Sequence, residues 1–369
     1  MVCVAAFIIL CLISVVVGFL SIFKRDIGKK WWKVFKKAWH CVFKKVRLQK
    51  CDTNFKDDVK NSILKKVIIK HPKWVKPISI IIEVAAVLIV LITIWSIIIA
   101  IKSLLALWVF GTCNVSQPSQ CALGAEVCSI DQAEPKNLFE KVGRGIGEWG
   151  EIFSAIPDRL KTWDANQFDI PTISELGSPD APVALEIVDP GCSVCLQSYR
   201  NLTGIPSGTG PSDFLEKHHL KIAVYPITLP DGSYKFKNSG LVARYLHATA
   251  IAQPPLTEPD LTDLSSLKVD YAASILERIF TESNDDGVNY QSLINSLSED
   301  EVKALFEAWL AEWRADRELI TKISGLLYSA EVEERLARTT KVVEQLNLKG
   351  IPTMIADGRK TSGLYTEKD

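Results

Sequence analysis

Val183-Ala184-Leu185-Glu186-Ile187-Val188-Asp189-Pro190-Gly191-Cys192-Ser193-Val194-Cys195-Leu196 is the stretch that decides how this chain folds. Val183 to Val188 is a short, β-branched apolar run bounded by turn residues, which predicts a buried strand. The cysteine motif follows at once, and Leu196, Tyr199 and Leu202 then recur at helical spacing. This order places Cys192 at the start of a helix, where unpaired backbone N–H groups and the positive dipole end stabilise a thiolate. They lower a thiol pKa from about 8.5 into the range where it attacks disulfides. Cys195, three residues on and one turn inside, reaches a mixed disulfide formed on Cys192 and releases the substrate. The reading of the pair is therefore one attacker and one resolver, both catalytic. Half a zinc site and an inert bridge are the competing readings. Zinc needs two more ligands, and the chain has no second C-x-x-C or H-x-x-x-H; of the neighbours His218 and His219 beside a strand, at most one points inward. No metal and no cofactor are expected.

Working outward, Leu220 to Pro226 predicts a second strand, and Asn238 to Gln253 a helix with Leu241, Tyr245 and Ala248 inward. Ser298 and Glu301 form a capping box opening the helix that carries Leu305, Trp309, Leu310 and Trp313. Another helix starts after Ser329, with Glu331, Glu333 and Glu334 favouring its dipole, and ends near Gly350. Pro352, a strand Thr353 to Ala356, an Asp357-Gly358 hairpin turn and a last strand around Thr361 to Tyr365 complete the pattern. Cys192 to Cys195 and Gly350-Ile351-Pro352-Thr353-Met354-Ile355-Ala356-Asp357-Gly358 together resemble the active-site turn and cis-proline strand of DsbA-like oxidoreductases. The resemblance covers Pro179 to Tyr365 and implies an α/β, thioredoxin-like fold with a helical insertion at about 238–348. It also implies that Pro352 is in cis and that backbone groups of Ile351 pair with an extended substrate segment. Three features depart from the family: the inner dipeptide is Ser193-Val194, no aromatic precedes Cys192, and little chain follows the last strand where the fold normally adds a helix. Part of one sheet face is therefore expected to be covered by something else.

Upstream, the composition changes. The net charge over 369 residues is zero, yet a basic stretch from Lys24 to Lys76 is balanced by an acidic C-terminal half. Met1 to Phe23 carries no charge, and Ile78 to Phe110 carries only Glu83 and Lys102, placed to lie near the interfaces. Each meets the ~20-residue length of a spanning helix. Met1 to Phe23 lacks a basic leader and an A-x-A site, so a retained anchor is expected in place of a cleaved signal. The connecting loop, 24–77, holds Lys24, Arg25, Lys29, Lys30, Lys36, Lys37, Lys44, Lys45, Lys65 and Lys66 against four acidic residues. Positive-inside puts it in the cytoplasm, with the N-terminus and everything after Phe110 outside, where disulfides persist. Trp31, Phe35, Trp39, Val42 and Val46 recur helically among lysines, the pattern of a helix lying on anionic lipid. Nucleic acid is not an expected partner.

Residues 111–178 read as an extracytoplasmic linker ahead of a domain at 179–369. Cys113, Cys121 and Cys128 fall among Ser, Gln, Pro and Gly. Three cysteines cannot all pair among themselves, so one stays free, bridges another chain or meets the downstream pair. Asn137 to Trp163 is an amphipathic helix with Leu138, Val142, Ile146, Trp149, Ile152 and Phe153 on one side; its Gly145, Gly147 and Gly150 have dinucleotide-site spacing but no preceding strand. Cys3 and Cys11 lie in the first span and Cys41 and Cys51 in the loop, while the second span has none, so a separate partner must reset the redox pair. His40, His71 and His247 show no partner. The expected function is a two-pass, membrane-anchored thiol-disulfide oxidoreductase acting on extracytoplasmic cysteine-containing proteins. A non-catalytic thioredoxin-fold binding or chaperone module, and a metal-delivery protein, are the alternatives from other classes.

Overall fold

The computed structural model describes residues 75–118, 127–204, 213–253 and 269–364. The first expected span, the basic loop with its surface helix up to residue 74, Cys121 and the last five residues lie outside these. The chain divides into two compact units, Met1–Ile101 and Lys102–Asp369. Helix α1, Val75–Phe110, includes the second expected span. Its Val87–Phe110 segment, 24 residues, is long and apolar enough to cross a membrane. Leu88, Ile92, Trp95 and Leu104 are all exposed along it.

A two-residue strand β1, Cys128–Ser129, precedes helix α2, Leu138–Leu160. Asn137 caps α2 by accepting the N–H of Glu140, satisfying a first-turn donor that has no partner within the helix. The expected apolar stripe is only partly used. Ile152 and Ala155 are buried with Ala106, Val109 and Val115, whereas Val142, Ile146 and Phe153 remain exposed. Lys102 donates to Glu148 and, at 3.3 Å, to the carbonyl of Gly145 on α2.

The sheet holds strands β2, Ser174–Leu176; β3, Val183–Val188; β4, His219–Val224; β6, Thr353–Ala356; and β7, Arg359–Ser362. Between them come α3, Ser193–Thr203, and α4, Asp213–Lys217. The insertion is helical: α5, Ser239–Ala252; α6, Tyr271–Thr281; α7, Tyr290–Ser296; α8, Glu299–Glu312; α9, Arg317–Leu326; and α10, Ala330–Gln345. A short strand β5, Gly350–Ile351, leads into β6. The sheet order is β2-β4-β3-β6-β7. β3 is parallel to β4 across α3 and antiparallel to β6, which is antiparallel to β7. This is the thioredoxin topology, a βαβ unit and a ββ hairpin sharing one sheet, with helices inserted between the halves.

Two boundaries of the sheet differ from those the sequence predicts. Ser174–Leu176 pair antiparallel with β4, so the sheet begins upstream of residue 179. β7 starts at Arg359, because the two-residue turn at Asp357 and Gly358, both with positive φ (49° and 75°), sets Ala356 opposite Arg359. Cover for β3 comes from the segment before the sheet: the 3-10 turn Ala165–Gln167 packs on β3. Trp163 and Ala165 are buried there, and Trp163 donates its backbone N–H to Gly358 at 2.9 Å.

Within the insertion, α5 is buried almost all round, as befits a helix apolar on every face. Tyr245 meets Phe306 edge-on at 4.8 Å between centroids. The Ser298 and Glu301 capping box opens α8, and Ser329 caps α10.

Candidate active site

The apolar strand β3 delivers the chain to Asp189, a buried carboxylate that ties down the turn. Its Oδ1 accepts the N–H of Gly191 and its Oδ2 the N–H of Ile227, each at 2.7 Å. Gly191 is required here because a Cβ would fall 2.4 Å from the Cβ of Phe236. Cys192 follows as the N-cap of α3, its Sγ accepting the N–H of Cys195 at 3.3 Å. The first turn of α3 thus points the N–H of Cys195 at the sulfur of Cys192. Helix α7 of the insertion holds the turn from outside: Gln291 Nε2 donates to the carbonyls of Pro190 and Cys192, both at 2.9 Å, and Asn295 to that of Gly191 at 3.2 Å.

The Ile351–Pro352 peptide is cis, as the family resemblance implied. Opposite Ile351 lies not a foreign segment but β1. Cys128 pairs with Ile351 and Ser129 with Gly350, antiparallel. Cys128 is also disulfide-bonded to Cys192, with Cα atoms 6.2 Å apart. One segment therefore joins the residue before the cis-proline to the N-cap cysteine.

Cys195 is the partner expected for Cys192, and here the structure differs: Cys195 carries a buried free thiol. Of the possibilities open for Cys128, the structure takes the downstream pair, and Cys113 is disulfide-bonded as well. Burial raises the Cys195 thiol well above its ordinary pKa, an effect the charges of Asp189 and Glu186 add to and the N–H of Asp189, donated at 3.4 Å, opposes.

Glu186 escaped the sequence reading. It lies fully buried in mid-strand, with Oε1 accepting from Ser198 at 2.6 Å and Oε2 without a hydrogen-bond partner among the described residues. Burial pushes its pKa up to about 7, the Ser198 bond opposing; Asp189 rises to about 7 for the same reason, against its two backbone bonds. A carboxyl in the centre of an otherwise apolar strand is itself a signal, since uncompensated charge is too costly to bury without a role. Gln291, 99 residues from Cys192, carried no such signal.

The three described histidines are partnered. His218 Nε2 lies 3.1 Å from Asp357, and His219 pairs with Glu175. His247 Nδ1 accepts from Arg335 at 3.2 Å, and burial, with the Arg335 charge, depresses its pKa to about 3.

No family model and no curated protein matches the chain. Solved structures similar to it include Wolbachia pipientis alpha-DsbA1, at 12% identity and TM-score 0.35 over 55% of this chain and 90% of that one. A putative protein-disulfide isomerase from Pseudomonas syringae aligns at 13% and 0.33 over 53% and 91%. The catalytic domain of Proteus mirabilis ScsC aligns at 13% and 0.32 over 55% and 88%. At such values the topology above rests on the strand pairing of this chain alone.

Proposed function

We propose that this chain is a membrane-anchored thiol-disulfide oxidoreductase whose redox cysteines are Cys192 and Cys195. One observation carries the reading: the N-cap cysteine of α3 and the residue before a cis-proline flank the same extended, cysteine-bearing segment. A protein substrate takes the place of that segment, pairing its backbone with Ile351 by β-augmentation and offering its sulfur to Cys192. Cys195 resolves the mixed disulfide. Its buried thiol gives up its proton to the two buried carboxyls that act on it electrostatically, Asp189 and Glu186, both titrating near neutrality. The resulting thiolate attacks Cys192, and the substrate leaves reduced at that sulfur.

Helix α1 supplies an anchor, and with the apolar N-terminus it makes a two-pass topology with the basic loop in the cytoplasm against anionic lipid and the redox unit outside. A separate redox protein resets the pair.

Turnover of a cysteine-containing peptide disulfide by the detergent-solubilised full chain tests the reading. Catalysis that falls at least ~100-fold in Cys192→Ser, as expected for loss of a nucleophile, supports it. Absence of turnover in the wild type and in Cys128→Ser alike overturns it.

A further inference from the structure

We infer that Cys128 is an internal exchange partner of the site: residues 127–130 occupy the peptide groove, and Cys128 caps Cys192 as a reversible mixed disulfide that Cys195 opens. This rests on the oxidoreductase reading above.

The segment is seated as a bound peptide would be. Cys128 and Ser129 pair with Ile351 and Gly350, and Ile130 donates its N–H to the carbonyl of Lys349 at 3.0 Å. Gly350, lacking a Cβ, lets Val127 pack over it; an added methyl would sit 3.1 Å from the Val127 side chain. The Lys235 ammonium grips the strand from the other element of the site, donating to the carbonyl and hydroxyl oxygens of Ser129, both at 2.7 Å, with Asp131 at 3.9 Å. A structural staple needs two cysteines. This one has a third, Cys195, whose N–H reaches the bonded sulfur and whose thiol is held by the N–H of Asp189.

The exchange balances within the chain. The Cys195 thiol loses its proton to the buried carboxyl pair, Asp189 and Glu186, and its thiolate attacks Cys192 Sγ. The Cys192–Cys195 bond forms as the Cys128–Cys192 bond breaks. Cys128 leaves as a thiolate and takes up the proton. One disulfide and one thiol exist before and after, so no external oxidant or reductant enters. The open state presents a Cys192–Cys195 disulfide to an empty groove; the capped state hides both. A tethered cysteine acts at an effective concentration on the order of 1 mM. Against a substrate peptide at about 10 μM, the ratio predicts exchange about a hundredfold slower than in a chain without Cys128.

The test uses the full chain in detergent, acid-quenched, alkylated and peptide-mapped without reduction, alongside exchange rates with a cysteine-containing peptide. The expected results are a Cys128–Cys192 linked peptide in the wild type, its full accumulation in Cys195→Ser, and exchange about a hundredfold faster in Cys128→Ser. Lys235→Ala keeps all three cysteines and guards against misfolding of Cys128→Ser; it is expected to shift the wild-type population several-fold from the Cys128–Cys192 to the Cys192–Cys195 bond. Maps that contain only Cys192–Cys195 in every glutathione buffer, with Cys128→Ser exchanging at the wild-type rate, overturn the inference and leave the oxidoreductase standing. A Cys128–Cys192 bond that persists unchanged in Lys235→Ala, with Cys128→Ser inert toward peptide, makes the bond a staple and overturns both.

Discussion

Replacing Glu186 by Gln removes the one fully buried carboxyl among the described residues with an unpartnered oxygen and should change both the pH dependence of stability and the resolving step. Moving a carboxyl from 4.5 to about 7 corresponds to about 3 kcal/mol, at ~1.4 kcal/mol per pH unit. The folded state binds the proton more tightly than the unfolded one, so unfolding releases it and stability falls with rising pH. The stabilisation is complete below pH 4.5, declines above it, and is gone once pH passes about 7. Chemical denaturation of the detergent-solubilised chain at intervals from pH 4 to 8 reads this directly. The wild type should lose about 3 kcal/mol more than Glu186→Gln across that range. Comparing slopes cancels the constant cost of burying the new amide, on the order of 1–3 kcal/mol. The same variant should slow release of a trapped mixed disulfide by about 10²-fold or more, the usual contribution of a positioned proton acceptor. Identical pH slopes for the two proteins would refute the reasoning, because the burial that raises Glu186 would then not exist in solution.

Gln291→Ala removes the side-chain donor from the Pro190 carbonyl and one of two donors from the Cys192 carbonyl and should lower stability by about 1–3 kcal/mol, read as a shift of the denaturation midpoint. Gly191→Ala drives a methyl into the Cβ and Cγ of Phe236; overpacking of this kind costs about 1–3 kcal/mol, read as a fall in the denaturation midpoint. His247, depressed from 6.5 to about 3, stays neutral when folded, so its contribution is present above pH 6.5 and is lost as pH falls towards 3. His247→Gln should flatten that acid limb in the same denaturation series.

Much of the sheet was legible because its strands are local and strongly patterned. Val183 to Val188 and Thr353 to Ala356 are β-branched or apolar runs fenced by turn residues, and β3 and β6 occupy those positions. Helix caps at Ser298 and Ser329 were equally local, three-residue signals. What stayed hidden depends on distant partners. Residues 174–176 are too short to signal a strand alone and become one only beside β4. Residues 163–168 look like linker and act as cover because Trp163 finds Gly358. The stripe on α2 was legible, but helical periodicity reports only that one side is apolar, not what packs there.

At the site, Cys192, Cys195, Ile351 and Pro352 were readable as two motifs in the right order. That the two motifs belong together was implied by a family resemblance, and the segment that lies between Cys192 and Ile351 could not be read. Cys128 lies in a polar, aperiodic stretch whose pairing is fixed by the tertiary fold, and cysteine spacing does not determine connectivity. Glu186 was visible in the sequence as a charge within an apolar run, and its reading as an ordinary strand residue missed it.

The most direct test of the oxidoreductase account is the pH dependence of Cys192 alkylation in the fully reduced full-length chain, followed by mass spectrometry at that residue. The account predicts a half-maximal rate at or below about pH 7.5, the range of thiols at helix N-termini. A half-maximal rate at about pH 8.5 or above, that of an ordinary thiol, would contradict it.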